Sequence, residues 1–454
     1  MIFSERNGKR IRLFLLRVMM LMAAVVVASM TFVACTVDDP ANDDENDENG
    51  GNGGNGGNGG NGQGKVWVDK KGGKTETFAD LDAALWYLMT SELGDYTVRI
   101  GENQHITSNY NTFLLKGKNI TLKAESGTVE ITRKTELFEH FVVSETTLTL
   151  EKGIILKGFG NIDEIDYGIT VENMGKLIMN EGVKLYNFGS TSATCAPVHV
   201  YRGGIFEMNG GTICDNISWG VTVGDGVGEA TFIMNGGTIS GNGTEGYGYS
   251  GVGVSSGIFT MNDGIITENE GGGVGVDNGV FTMKNGRIIN NVIKHYGSSG
   301  GGVWVGEGTF ILDGGEISGN LATNGGGVEV TWGTFIMNGG TIAKNISTEM
   351  GGGVFVYDDG TFTMNGGIIA GNIAGEIGGG GVALYSKANF TKNANGIIYG
   401  YDGGENANIS ETDFGHAAIA SSGSFYRKRD MTAGQGAVMR WPSAQPTADG
   451  WDSE

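Results

Sequence analysis

From Phe206 onward, apolar and polar positions recur in a fixed order. The pattern is clearest in FIMNGGTISGN, which begins at Phe232. Related copies begin at Phe206, Phe259, Phe281, Phe310, Phe335 and Phe362, and a decayed one at Phe390. The intervals between them are 26, 27, 22, 29, 25, 27 and 28 residues. In most copies Phe and Met stand two apart (Leu312 and Lys392 take the place of Met after Phe310 and Phe390), and an Ile follows at the eighth position. A glycine cluster then leads into a short run such as Gly301-Gly302-Val303-Trp304-Val305 or Gly352-Gly353-Val354-Phe355-Val356. Side chains two apart on an extended chain share a face, so each copy predicts three short strands. The frame extends backward through Leu177-Ile178-Met179, Leu148-Thr149-Leu150 and Ile120-Thr121-Leu122, giving eleven rungs.

A strand-only unit of this size cannot bury its apolar face alone. Stacking copies in parallel pairs each backbone with the turns above and below and lines up like residues along an axis. The expected fold class is therefore all-β: a parallel β-helix, or solenoid, of about eleven three-strand rungs. Glycine at the sixth position (Gly211, Gly237, Gly264, Gly286, Gly315, Gly340 and Gly367) suits a corner needing positive φ. The Asn at the eleventh (Asn216, Asn242, Asn269, Asn291, Asn320, Asn345 and Asn372) suits a hydrogen-bonded ladder. An open stack needs caps. Thr77-Phe78-Ala79-Asp80 reads as a helix start, with Phe78, Leu81, Leu85 and Leu88 on one face. The expected divisions are 65–119 for an N-terminal cap of strand, helix and strand, 120–420 for the rungs, and 421–454 for a C-terminal cap.

The first 35 residues follow a different logic. Lys9, Arg10 and Arg12 precede an uncharged apolar run from Val18 to Val33, shorter than the ~20 residues a spanning helix needs, so a removed signal peptide is expected. Phe32-Val33-Ala34-Cys35 resembles the lipobox of bacterial lipoproteins, with Phe32 where leucine is usual. That resemblance implies acylation of Cys35 and a membrane partner through the lipid. Residues 36–64, acidic and then Gly/Asn-rich, read as a flexible tether. An acidic run in that place resembles a surface-export signal of Gram-negative lipoproteins, which implies an outer-membrane or cell-surface location. A net charge of -21 argues against nucleic acid and anionic lipid as partners. Cys195 and Cys214 remain for a disulfide, but they occupy different repeat positions.

Catalysis needs unlike groups at one place, and the repeat mostly offers the same group at every rung. The outward residues of the first strand (Glu207, Ile233, Thr260, Thr282, Ile311, Ile336 and Thr363) form no carboxylate-and-base set. Asp358-Asp359 reads as a pair of solvated turn carboxylates, and His199 and His295 as isolated residues. Asp277, Glu307 and Asp359 recur at one corner, a weak setting for a hard cation. No cofactor is expected. One face does suggest binding: Trp304, Glu329 and Phe355 fall outward on consecutive third strands, and Trp332, Tyr357 and Tyr385 follow at the next corner. Aligned exposed aromatics suit stacking on sugar rings or docking a protein.

Three strands per rung, Phe and Ile stacks and an Asn ladder resemble the right-handed parallel β-helix superfamily that includes pectate lyases. The wording F-x-M-N-G-G-x-I-x-x-N resembles repeat-rich surface lipoproteins of anaerobic, host-associated bacteria and, more loosely, chlamydial polymorphic outer-membrane proteins. The resemblance spans 120–420 and implies a right-handed coil. The expected function is non-enzymatic: a surface-anchored adhesin binding a glycan or a host or matrix protein. The alternatives are a polysaccharide-active enzyme, on fold analogy alone, and a structural spacer.

Overall fold

The computed structural model describes residues 65–107, 115–133, 139–160, 167–190, 195–244, 248–293, 300–375, 377–393, 395–411, 417–420, 426–427 and 438–440. The expected signal peptide and tether, Cys35 included, lie outside them, as do His295 and His416.

The chain is a parallel β-solenoid with three long sheets of 15, 12 and 12 strands. Each turn gives one strand to each sheet. Among the described residues every strand of the third sheet except Tyr426–Arg427 runs parallel, so the solenoid has about the number of turns read from the spacing. Register follows the repeat: Phe206 pairs with Phe232, and Phe310 with Phe335. Parallel stacking begins before Ile120, because Asp95–Ile100 already pairs in register with Asn119–Ala124.

The phenylalanines from Phe206 to Phe390 form one column, with neighbouring centroids 4.6 to 5.0 Å apart and the rings nearly parallel. All are fully buried. The spacing is the strand separation of any sheet, so the side chains repeat as the backbone does. Beside the column each corner turns on a left-handed glycine. Gly367, with φ of 87°, sits where a Cβ would come within 2.5 Å of Met337 Cε and 2.7 Å of Gly339 O. A side chain there meets both an unfavourable φ and a backbone clash.

Between the second and third sheets runs the asparagine ladder. Asn345 donates from Nδ2 to Asn372 Oδ1 (3.0 Å) and to Ile317 O (3.0 Å). Its own Oδ1 accepts from the backbone and side-chain nitrogens of Asn320 at 3.0 and 2.9 Å. The ladder continues one rung beyond the repeat, from Asn372 to Asn408 at 2.9 Å. These amides are buried, so each bond is made where water cannot replace it.

The N-terminal end is closed by strands Val66–Lys70 and Thr75–Phe78, both antiparallel, and by a helix, α1 (Leu81–Thr90). The helix starts later than Thr77 suggests. Asp80 is its N-cap and accepts from Ala83 N, because Thr75–Phe78 is drawn into pairing with Val66–Lys70. Leu81, Ala84, Leu85 and Leu88 face the core, while Phe78 is half-buried against Tyr87. At the other end Ala418–Ala420 is the last parallel third strand. Tyr426–Arg427 and Val438–Arg440 then pair antiparallel with the last turn. Cys195 and Cys214 are both buried.

A fourth, four-stranded sheet is absent from the repeat pattern. It joins Leu321–Asn324, Ile346–Met350, Ile373–Ala374 and Ile409–Ser410, all in the stretch that leads into the third strand.

Two outcomes follow. Phe335→Ala is expected to lower stability by ~3–5 kcal/mol through cavity formation. Asn345→Ala leaves several buried donors and acceptors of adjacent rungs without partners, each worth about 1–3 kcal/mol, so its loss should match that of Phe335→Ala. Denaturant unfolding of both variants checks this, and a parent-like midpoint for Asn345→Ala would contradict the ladder energetics. The second outcome concerns His140, buried against the edge of Phe188. Burial, then the charge of Arg133, pushes its imidazole down to about 4. In the unfolded chain the ring titrates near 6.5. Between those values only the unfolded chain takes up the proton, so stability falls as pH drops from about 6.5 to about 4, by up to ~3 kcal/mol. His140→Leu should remove that part of the slope when unfolding is compared at pH 7 and pH 4.5.

Candidate functional site

The third sheet brings the expected binding residues into line. Trp304 pairs with Glu329, and Glu329 with Phe355, on consecutive rungs. The expectation that this strip is exposed fails at two of the three positions. Glu329 is 5% exposed and Phe355 6%, while Trp304 is half-buried with its indole edge against Gly306. The reason is the entry to the third strand, which follows the fourth sheet and folds back over the outer face. A Cβ on Gly325 would stand 2.7 Å from that of Glu329, and one on Gly351 2.7 Å from that of Phe355. Only a residue without a side chain can lie there, and both glycines have positive φ. Phe355 packs with Met350 and Ala383, with Tyr357 and Ile419 alongside. It belongs to a small second core.

The corner after the third strand is more open. Trp332 is 55% exposed and Tyr385 45%. Tyr357 and Tyr385 occupy the same position on successive turns, each backbone N–H donating to the turn before. Their rings stack at 5.7 Å with 30° between planes, and Phe355 continues the series inward at 6.1 Å from Tyr357. Tyr357 and Tyr385 therefore form an aromatic ledge, with its inner side anchored in the Phe355 core, and Trp332 stands exposed at the same corner one turn earlier, one position further along the chain. Asp277, Glu307 and Asp359 are exposed. Among the described residues, no group of three or more His, Cys, Asp and Glu is placed to hold a metal ion.

A second constellation, not anticipated as a group, lies on the same sheet toward the N-terminus. Thr170, His199 and Thr222 are its outward residues on three consecutive rungs. His199 Nδ1 is hydrogen-bonded to Thr222 Oγ1 at 2.5 Å, and Thr170 donates to Glu139 at 3.4 Å. The His199 ring lies 4.8 Å from that of Tyr201. The Arg202 guanidinium lies 5.1 Å from the Tyr201 ring and pairs with Asp225 at 3.5 Å. Burial, and then a hydrogen bond with Glu172, raise the Tyr201 phenol well above its ordinary value. Burial lowers the His199 imidazole, with Asp225 acting in the opposite sense. Glu172 is itself 4% exposed. The turns that carry Thr170 and His199 come before the first F-x-M-N copy at Phe206, and only that of Thr222 carries the wording, so no motif marks the group. Its sequence signal is the change from uniform to unlike residues at Thr170, His199 and Thr222.

No family model matches this chain, and neither a curated protein nor a solved structure does.

The burial difference predicts a split in stability. Phe355→Thr should cost about 3 kcal/mol, because it empties the small core formed with Met350 and Ala383. Trp332→Thr and Tyr385→Thr, at exposed positions in a β structure, should each stay within about 0.5–1 kcal/mol of the parent. Equal losses in urea unfolding would show that the ledge is structural throughout.

Proposed function

We propose that this protein is a lipid-anchored, surface-displayed rod that captures a glycan or a host or matrix protein without turning it over. The observation that carries the reading is the corner where Tyr357 and Tyr385 stack at 5.7 Å and Trp332 stands one turn earlier, with Trp332 and Tyr385 about half exposed. Aromatic faces attract sugar C–H groups and partner side chains, and rigid aromatic anchors carry a large share of binding energy. Here rigidity comes from the buried Phe355 behind Tyr357. Anchoring rests on the lipobox-like Cys35 and the acidic tether after it. Among the described residues, no helix is long and apolar enough to cross a membrane.

The polysaccharide-active alternative keeps one observation in its favour, the unlike groups around His199. It requires products, whereas the binding reading requires none.

Two measurements test the proposal. Cys35→Ala should move the protein from the membrane fraction to the soluble fraction, and unchanged membrane association removes the lipid anchor. The Trp332→Thr/Tyr385→Thr double variant should lose at least ten-fold in retention on a panel of immobilised glycans and matrix proteins. The parent should release neither unsaturated nor reducing ends from polysaccharides. Parent-like retention by the double variant, or product release by the parent, overturns the binding reading.

A further inference from the structure

We propose a second ligand site, separate from the ledge: the outer face of the third sheet around Glu172, His199, Tyr201 and Trp219, which accommodates a neutral, hydroxyl-rich sugar chain lying along the solenoid axis.

Four features support it. First, the polar groups are unlike and mutually fixed. His199 is held by Thr222, Tyr201 stands between the His199 ring and the Arg202 guanidinium, and Arg202 is paired with Asp225. Side chains held by neighbours lose little freedom when a ligand arrives, so their hydrogen bonds contribute more to affinity. Second, Asp225 and Arg202 are exposed, the one an acceptor and the other a donor, and the Tyr201 hydroxyl, whose hydrogen goes to Glu172, keeps its oxygen as an acceptor. Sugar hydroxyls both donate and accept, and this set meets both needs.

Third, an aromatic pair continues the strip. The outward position next to Thr222 is Gly253, and the next is Gly275. The Trp219 indole lies across them: a Cβ on Gly253 would come within 2.7 Å of its ring, and one on Gly275 within 3.8 Å. Tyr249 flanks the indole at 5.9 Å, and Trp219 keeps one side half exposed. Two successive glycines at a position that carries a side chain on the other rungs make room for the indole against the sheet. The half-exposed indole and Tyr249 beside it supply aromatic surface for a sugar ring. Fourth, the charge selects. Glu172 and Glu139 lie near Tyr201, and Asp225 pairs with Arg202, on a chain of net charge -21. Polyuronides and sulfated chains are repelled, and a neutral chain is not.

The test uses the full chain and titrates it with cellohexaose, mannohexaose and the hexamer of N-acetylglucosamine, with oligogalacturonate as the charged control. Calorimetry should show binding of at least one neutral hexamer and none of the oligogalacturonate. Tyr201→Phe keeps the ring and removes only the hydroxyl, so it should fold as the parent and bind at least five-fold more weakly. Glu172→Gln should also weaken binding, by ten-fold or more. The Trp332→Thr/Tyr385→Thr variant should bind these hexamers as the parent does, which separates this site from the ledge. The proposal fails if the parent binds none of the three neutral hexamers or binds oligogalacturonate as well as it binds them. It also fails if a folded Tyr201→Phe keeps parent affinity, or if the ledge variant alone abolishes binding.

Discussion

A strand of three or four residues has no stability of its own. In this molecule it exists because the turns above and below supply partners for its backbone. That pairing runs in register from Asp95 to Ala420, so equivalent residues of successive turns lie about 4.8 Å apart. Everything else inherits this separation. Phenyl rings stack at it, buried amides reach the next amide at it, and glycines recur where the corner between strands closes. A solenoid built this way couples each turn chiefly to its neighbours, so disturbance spreads along the axis.

The same rule explains what was legible in the sequence. Phe, Met, Ile, Gly and Asn recur because a column tolerates one kind of side chain, and the repeat therefore reports the interior faithfully. Asn408 shows the limit, since it completes the ladder although its rung no longer carries the motif. The fourth sheet was not legible, because its strands fall in the stretch whose length changes from copy to copy. The burial of Phe355 and Glu329 was hidden for the same reason: period-2 patterning tells which way a side chain points, not whether another segment crosses over it. The exposure of Trp332 and Tyr385 was legible because they sit on a corner that nothing covers.

The interior and the surface of the rod divide two tasks. Inside, sameness is enforced by stacking. Outside, each turn is free to differ. Unlike residues gather on the third sheet around Glu172, His199, Tyr201 and Trp219. Regular turns hold unlike residues at fixed spacing, which loops of similar length do poorly.

The antiparallel strands at the two ends have a further consequence. Val66–Lys70 and Thr75–Phe78 cover one end of the first sheet, and Val438–Arg440 lies over the other. A bare end would present an open row of amides and carbonyls to a like chain, and rods would join end to end. With both ends reversed, growth stops at the number of turns the gene encodes. Gain or loss of one whole copy changes the reach of the rod by a single strand separation and leaves both termini untouched. Length is thereby a heritable quantity, set by duplication and deletion, with the closing pieces acting as fixed fittings on a shaft of adjustable extent.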